Sequence, residues 1–143
     1  MKIACLQWDI KGYEQYRDNF AIVRTLAEKT INYQPDLMVL PEMWATDFTN
    51  PQECARLKDE ILDFLKALAK DMSLYVLGGS VAEKKFNRIA NTAPLVDPKG
   101  ELLARYSKIH LFKGMDEDRD FSAGYEVATV PTLIGKIGIA ICY

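Results

Sequence analysis

Histidine is almost missing from this chain: His110 is the only one in 143 residues. A metal cluster or a Cys–His nucleophile pair would have to be built around that single imidazole, so no metal site is expected. Cysteine is scarce as well. Cys5, Cys54 and Cys142 are odd in number and far apart, which argues against a disulfide framework and for reduced thiols in a cytoplasmic protein. No apolar stretch is long enough to span a bilayer, so no membrane segment is expected. Neither sign of charge dominates. The 18 Lys and Arg against 20 Asp and Glu leave a net charge of −2, and a nucleic-acid or anionic-membrane partner has no electrostatic support. Repeats and low-complexity runs are absent. The opening residues, Met1-Lys2-Ile3-Ala4-Cys5, enter a strand directly, without the apolar core and cleavage site of a signal peptide.

What is present suits one domain with a real core: 49% of the residues are hydrophobic and 27% charged. The apolar run at 2–8 reads as a first strand. Tyr16, Phe20, Val23, Ala27 and Ile31 recur at three- and four-residue steps, predicting a helix over 14–33. Leu37-Met38-Val39-Leu40 is too short for a helix and reads as a buried strand cut by Pro41. A second helix is predicted over 57–72 and a third strand over 74–81, where Gly78-Gly79 permits close backbone approach. Asp97-Pro98-Lys99-Gly100 is a turn between strands at 89–96 and 101–106. A polar loop over 113–124 leads to strands at 127–133 and 136–141. This order implies an α/β protein with a mixed sheet and helices on one face. The second face has no predicted cover.

Three reactive side chains stand just past apolar runs: Glu42, Lys108 and Cys142. Ile137, Ile139 and Ile141 alternate with Gly138 and Ala140, so the last strand would carry Cys142 to the rim of a sheet. Mixed α/β sheets gather their ligands at such strand ends. A thiol, a carboxylate and an ammonium suffice for acyl transfer: nucleophile, proton carrier and oxyanion stabiliser. Taken singly, each residue fits an ordinary structural role as well. Trp44 and Phe48, just after Glu42, are candidate pocket walls, as is Phe112. His110 and the remaining cysteines are read as structural.

Leu40-Pro41-Glu42-Met43, Arg105-Tyr106-Ser107-Lys108-Ile109-His110-Leu111-Phe112 and Gly138-Ile139-Ala140-Ile141-Cys142-Tyr143 resemble three segments of the nitrilase, or carbon–nitrogen hydrolase, superfamily. Asn91-Thr92-Ala93 with the turn at 97–100 is similar to that family's hairpin. The likeness spans the chain in the correct order. It implies Glu42 as general base, Lys108 as oxyanion stabiliser and Cys142 as nucleophile. It also implies Glu117, before Ser122-Ala123-Gly124, as a supporting acid and the Tyr143 backbone N–H as an oxyanion donor.

The implied reaction is hydrolysis of a non-peptide C–N bond through a thioester, with a small-molecule amide and water as substrates and no cofactor. The wording resembles most the omega-amidase-like branch, acting on short carboxylate-bearing amides such as 2-oxoglutaramate, with Arg119 and Lys113 as candidate partners for the carboxylate. Nitrile and N-carbamoyl hydrolysis stay open, as does a non-catalytic interaction module. Family members continue past the Cys-Tyr pair. The resemblance therefore implies that residues 1–143 are the N-terminal half of an α-β-β-α sandwich, incomplete at the C-terminus, with a homodimer or larger oligomer once the second half is present.

Overall fold

The computed structural model describes residues 1–142. Its first half alternates strand and helix: β1 (Ile3–Cys5), α1 (Tyr16–Thr30), β2 (Leu37–Val39), the short α2 (Pro51–Cys54), α3 (Lys58–Met72) and β3 (Tyr75–Leu77). The chain then turns to hairpins: β4 (Val81–Lys85), β5 (Arg88–Val96) and β6 (Leu102–Ser107), followed by the one-turn α4 (Glu117–Asp120), β7 (Ala128–Thr132) and β8 (Gly135–Ile139). Strands β1, β2 and β3 pair in parallel, while β5 runs antiparallel to β3, β4 and β6. Thr92 faces Val81 on one side and Ser107 on the other, and Leu95 faces Leu77 and Ala104. So β3 and β4 lie in succession along one edge of β5, and β6 lies along the other.

Side-chain alternation sorts the sheet into two faces. Met38, Leu40, Val76 and Val96 point to the helices, where they pack with Val23 and Ala27 of α1 and Ile61, Leu65 and Leu68 of α3. Leu37, Tyr75, Ala93, Leu95 and Tyr106 point the other way. The sequence leaves that second face bare, and the structure corrects this. The β7–β8 hairpin forms a separate two-stranded sheet and lays Ala128, Val130, Ile137 and Ile139 over it. The last two predicted strands thus build a third layer.

Two further boundaries differ from expectation. The helix predicted over 14–33 tightens to 3-10 turns at Tyr13–Gln15 and Ile31–Tyr33. Three residues per turn shifts the phase of the stripe, and Ile31 ends up 41% exposed. The single strand predicted over 74–81 is broken at Gly78-Gly79-Ser80. Gly79 has φ +58°, and a Cβ there would stand 1.9 Å from the Pro41 carbonyl oxygen. The break therefore brings the segment after β3 against the segment after β2. Asp97 holds the β5–β6 turn by accepting from the N–H groups of Lys99 and Glu101 through Oδ1, at 2.9 and 2.8 Å.

Gly79→Ala tests that close approach. The added methyl meets backbone, not a flexible side chain, and φ is left-handed, so a loss of about 1–3 kcal/mol is expected. A thermal melt displaced downward by several degrees is the readout, and an unchanged melt would contradict the approach.

Candidate active site

Glu42 leaves β2 through Leu40-Pro41 and stands at the head of a turn in which Met43 has φ +49°. Ser80 pins that turn: its hydroxyl accepts the Met43 N–H at 3.0 Å, and its own N–H donates to the Pro41 carbonyl at 3.3 Å. Lys108 follows β6 by one residue. Its N–H donates to the Asn91 carbonyl at 2.8 Å, and its carbonyl accepts the Gly124 N–H at 2.7 Å. A Cβ on Gly124 would lie 2.3 Å from the Ser107 oxygen, so only glycine lets the two segments meet. Glu117 opens α4, whose end is anchored by the buried ring of Phe121.

These separate segments converge on the ammonium of Lys108, which is 2% exposed. Lys108 Nζ lies 2.8 Å from Glu42 Oε1 and 2.8 Å from Glu117 Oε2. Glu117 Oε2 also accepts the Phe112 backbone N–H at 2.7 Å. Asn91 Nδ2 donates to Glu42 Oε1 at 2.7 Å and to Glu117 Oε1 at 3.1 Å. Both Glu117 oxygens are therefore engaged and its side chain is buried. Glu42 is different. Its Oε1 takes both bonds, its Oε2 has no hydrogen-bond partner among the described residues, and its side chain is 24% exposed. One carboxylate is locked, and the other keeps an oxygen open to receive a proton.

The charges follow the geometry. Burial alone would push the Glu117 carboxyl up, but the hydrogen bonds from Lys108, the Phe112 N–H and Asn91 outweigh it and hold it below its ordinary value. Burial also works against the Lys108 ammonium, yet its hydrogen bonds to Glu117 and Glu42, with their charges, push its pKa up. Both groups stay ionised at neutral pH.

Cys142 arrives from the third layer. β8 ends at Ile139, two residues earlier than the alternation suggests, and Ile141 packs into the inter-sheet cluster that includes Val39 and Leu77 at the ends of β2 and β3. Cys142 follows, exposed, with φ +61°. A non-glycine residue in that region holds local strain that its surroundings must maintain. The expected oxyanion donor at Tyr143 lies outside the described residues.

The flanking candidates fare less well. Trp44 belongs to the core. Its ring is fully buried between Trp8, Phe20 and Phe64, and its Nε1 donates to the Gly78 carbonyl at 2.8 Å. Phe48 stands 39% exposed, edge-on to Phe121 at 6.3 Å between ring centroids. Phe112 reaches the network through its backbone N–H, with 40% of the residue exposed. Arg119 pairs with Asp116 at 3.0 Å and lines an open cleft of about 750 Å³ with Arg56, Lys84, Arg88 and Asp120. Glu42, Lys108 and Glu117 are not among that cleft's residues. His110 is exposed and, among the described residues, makes no hydrogen bond, against the structural role expected of it. Asn91 is the residue that sequence reasoning passed over. An amide on an inward position of an otherwise apolar strand was the available signal.

The family model for carbon-nitrogen hydrolases matches residues 2–143. The 2-oxoglutaramate amidase of Bacillus subtilis (strain 168) is 37% identical over 130 residues, covering 87% of this chain and 48% of that protein. Omega-amidase NIT2 of Mus musculus is 26% identical over 152 residues, covering 99% of this chain and 54% of its own length. Among solved structures, Saccharomyces cerevisiae Nit3, a member of branch 10 of the nitrilase superfamily, superposes with a TM-score of 0.86 at 25% identity, over 100% of this chain and 55% of that one. The chain spans about half the length of the curated relatives it matches. With the fold, the convergence on Lys108 and a family match that leaves out only Met1, the chain belongs to the carbon-nitrogen hydrolase family.

Proposed function

We propose that residues 1–143 supply the Glu–Lys–Cys side of one carbon-nitrogen hydrolase domain that cleaves a small linear amide. The carrying observation is the asymmetry of the two glutamates: Glu117 is fully engaged, and Glu42 keeps Oε2 open. Cys142 is the nucleophile. Its thiol proton passes to Glu42 as sulfur bonds to the amide carbon, and the oxygen of the tetrahedral intermediate takes the negative charge. Lysine carries three N–H donors. Two are committed to Glu42 and Glu117, and the third is available to that oxyanion, together with the Tyr143 N–H that the family resemblance implies. Glu42 then returns the proton to nitrogen, the C–N bond breaks, and ammonia leaves a thioester on Cys142. Water, deprotonated by Glu42, adds to the thioester, and the C–S bond breaks to release the carboxylate and restore the thiol.

The names of the relatives, 2-oxoglutaramate amidase and omega-amidase, support an ω-amide of a short dicarboxylate as substrate. The Lys108 charge is already shared by two carboxylates. The substrate's own carboxylate therefore calls for a different cation, for which Arg119 and Lys113 remain the candidates.

In the full polypeptide carrying this sequence, Cys142→Ala is expected to lower ammonia release from 2-oxoglutaramate by at least about 10³-fold, and Glu42→Gln by roughly 10²–10⁴-fold. Release undiminished by the cysteine change would refute the nucleophile.

The ion network also sets a pH window. Glu117 is held low in the folded state, so its contribution is present above the unfolded value of about 4.3 and is lost as pH falls through the lower folded value. Lys108 is held high, so its contribution is present below about 10.4 and is lost as pH rises through the raised folded value. Melting temperature measured against pH should fall off at both ends, and Glu117→Gln should flatten the acid end. An acid limb of unaltered steepness in that variant would count against the pairing.

A further inference from the structure

Asn91 touches every member of the ion network. Its carbonyl receives the Lys108 backbone N–H at 2.8 Å, and its Nδ2 bridges Glu42 Oε1 and Glu117 Oε1 at 2.7 and 3.1 Å. The orientation of the amide is set by its neighbours: carboxylate oxygens only accept, so the NH₂ must face them. The residue is wholly buried, and its Oδ1 has no hydrogen-bond partner among the described residues. An unmet buried acceptor is a liability that a leucine of similar size would not carry. The side chain is therefore retained for its two N–H donors, not for packing.

Those donors answer an electrostatic problem. Two carboxylates share one ammonium, so the group carries one uncompensated negative charge. Facing carboxylates in a buried site drive one of their number to take up a proton. A second cation would quench the excess but would also tie up Glu42 Oε2. A neutral NH₂ stabilises both ionised carboxylates and leaves that oxygen open. The charged groups around Asn91 are Glu42 from the segment after β2, Lys108 from the end of β6 and Glu117 from α4. Across from it on β4 stands the uncharged Ala82.

We propose that Asn91 is a positioning residue: its amide bridges both glutamates, keeps Glu117 ionised and turns the free oxygen of Glu42 toward the reacting thiol. The orienting part of this inference rests on the amide-hydrolase reading above, while the ionisation part does not. Asn91→Ala removes the donors. Asn91→Asp keeps the shape, replaces donors by an acceptor and serves if the alanine variant fails to fold. The full polypeptide, labelled with carbon-13 at the glutamate carboxyls, is titrated by NMR, and kcat and KM for 2-oxoglutaramate are measured across pH. Expected in either variant are a rise in the pH at which the Glu117 carboxyl titrates, a fall in kcat of roughly 10–100-fold with KM nearly unchanged, and an acid limb of the rate profile moved to higher pH. In the alanine variant, which adds no charge, a purely structural role would lower the melting temperature and leave the titration in place. An unmoved titration overturns the inference, as does an unchanged kcat in an aspartate variant that melts like the wild type. Should the wild type release no ammonia from any amide, the hydrolase reading fails, and the titration alone decides what Asn91 does.

Discussion

The ammonium of Lys108 is the point on which the architecture closes. It is almost completely buried, and a buried cation persists only where fixed acceptors replace water. Here they come from two segments far apart in the sequence, Glu42 and Glu117. Removing one partner of such a pair typically costs about 3–5 kcal/mol because the other is left charged and unmet. The segment after β2, the end of β6 and the loop leading to β7 are thus bound together by one charge. The candidate site and the stability of this region rest on the same set of contacts.

Much of the fold is written in local patterns. The stripes of α1 and α3, the buried run before Pro41 and the Asp97-Pro98-Lys99-Gly100 turn each follow from apolar spacing or turn chemistry, and the structure places them accordingly. What failed depends on contacts across the sheet. Alternation in the last two strands identifies strands but not the sheet they join, and only the tertiary arrangement lays them on the second face. The break at Gly78-Gly79-Ser80 likewise needs the Pro41 carbonyl as a neighbour, which no local window contains.

The site divides in the same way. Glu42 and Lys108 could be picked out because an acid or amine just past an apolar strand is conspicuous, Glu117 stood out only through the family resemblance, and the structure brings these three together. Trp44 was conspicuous for the same reason and turned out to fill the core: an aromatic next to a reactive residue can serve either purpose, and only packing separates them. Asn91 was overlooked because its neighbours in sequence, Ala90 and Thr92, point to the opposite face. What matters about it lies on other segments.

The parity of β5 has a consequence for how this chain tolerates changes of length. Asn91, Ala93 and Leu95 share the face turned toward the β7–β8 layer, and the pairing of Thr92 with Ser107 sets Asn91 level with Lys108. That alignment is held from a distance, by the Asp97 turn and by the irregularity between Leu95 and Val96. A strand has a period of two, so sliding it by one residue exchanges its faces. A single residue inserted between Val96 and Leu102 and taken up as a slip would turn Asn91 toward the helices and bring Thr92 beneath the glutamates. Spacing in a surface turn with no chemistry of its own is in that sense part of the candidate active site. Insertions that most surface loops absorb without effect would here be read as substitutions at the centre.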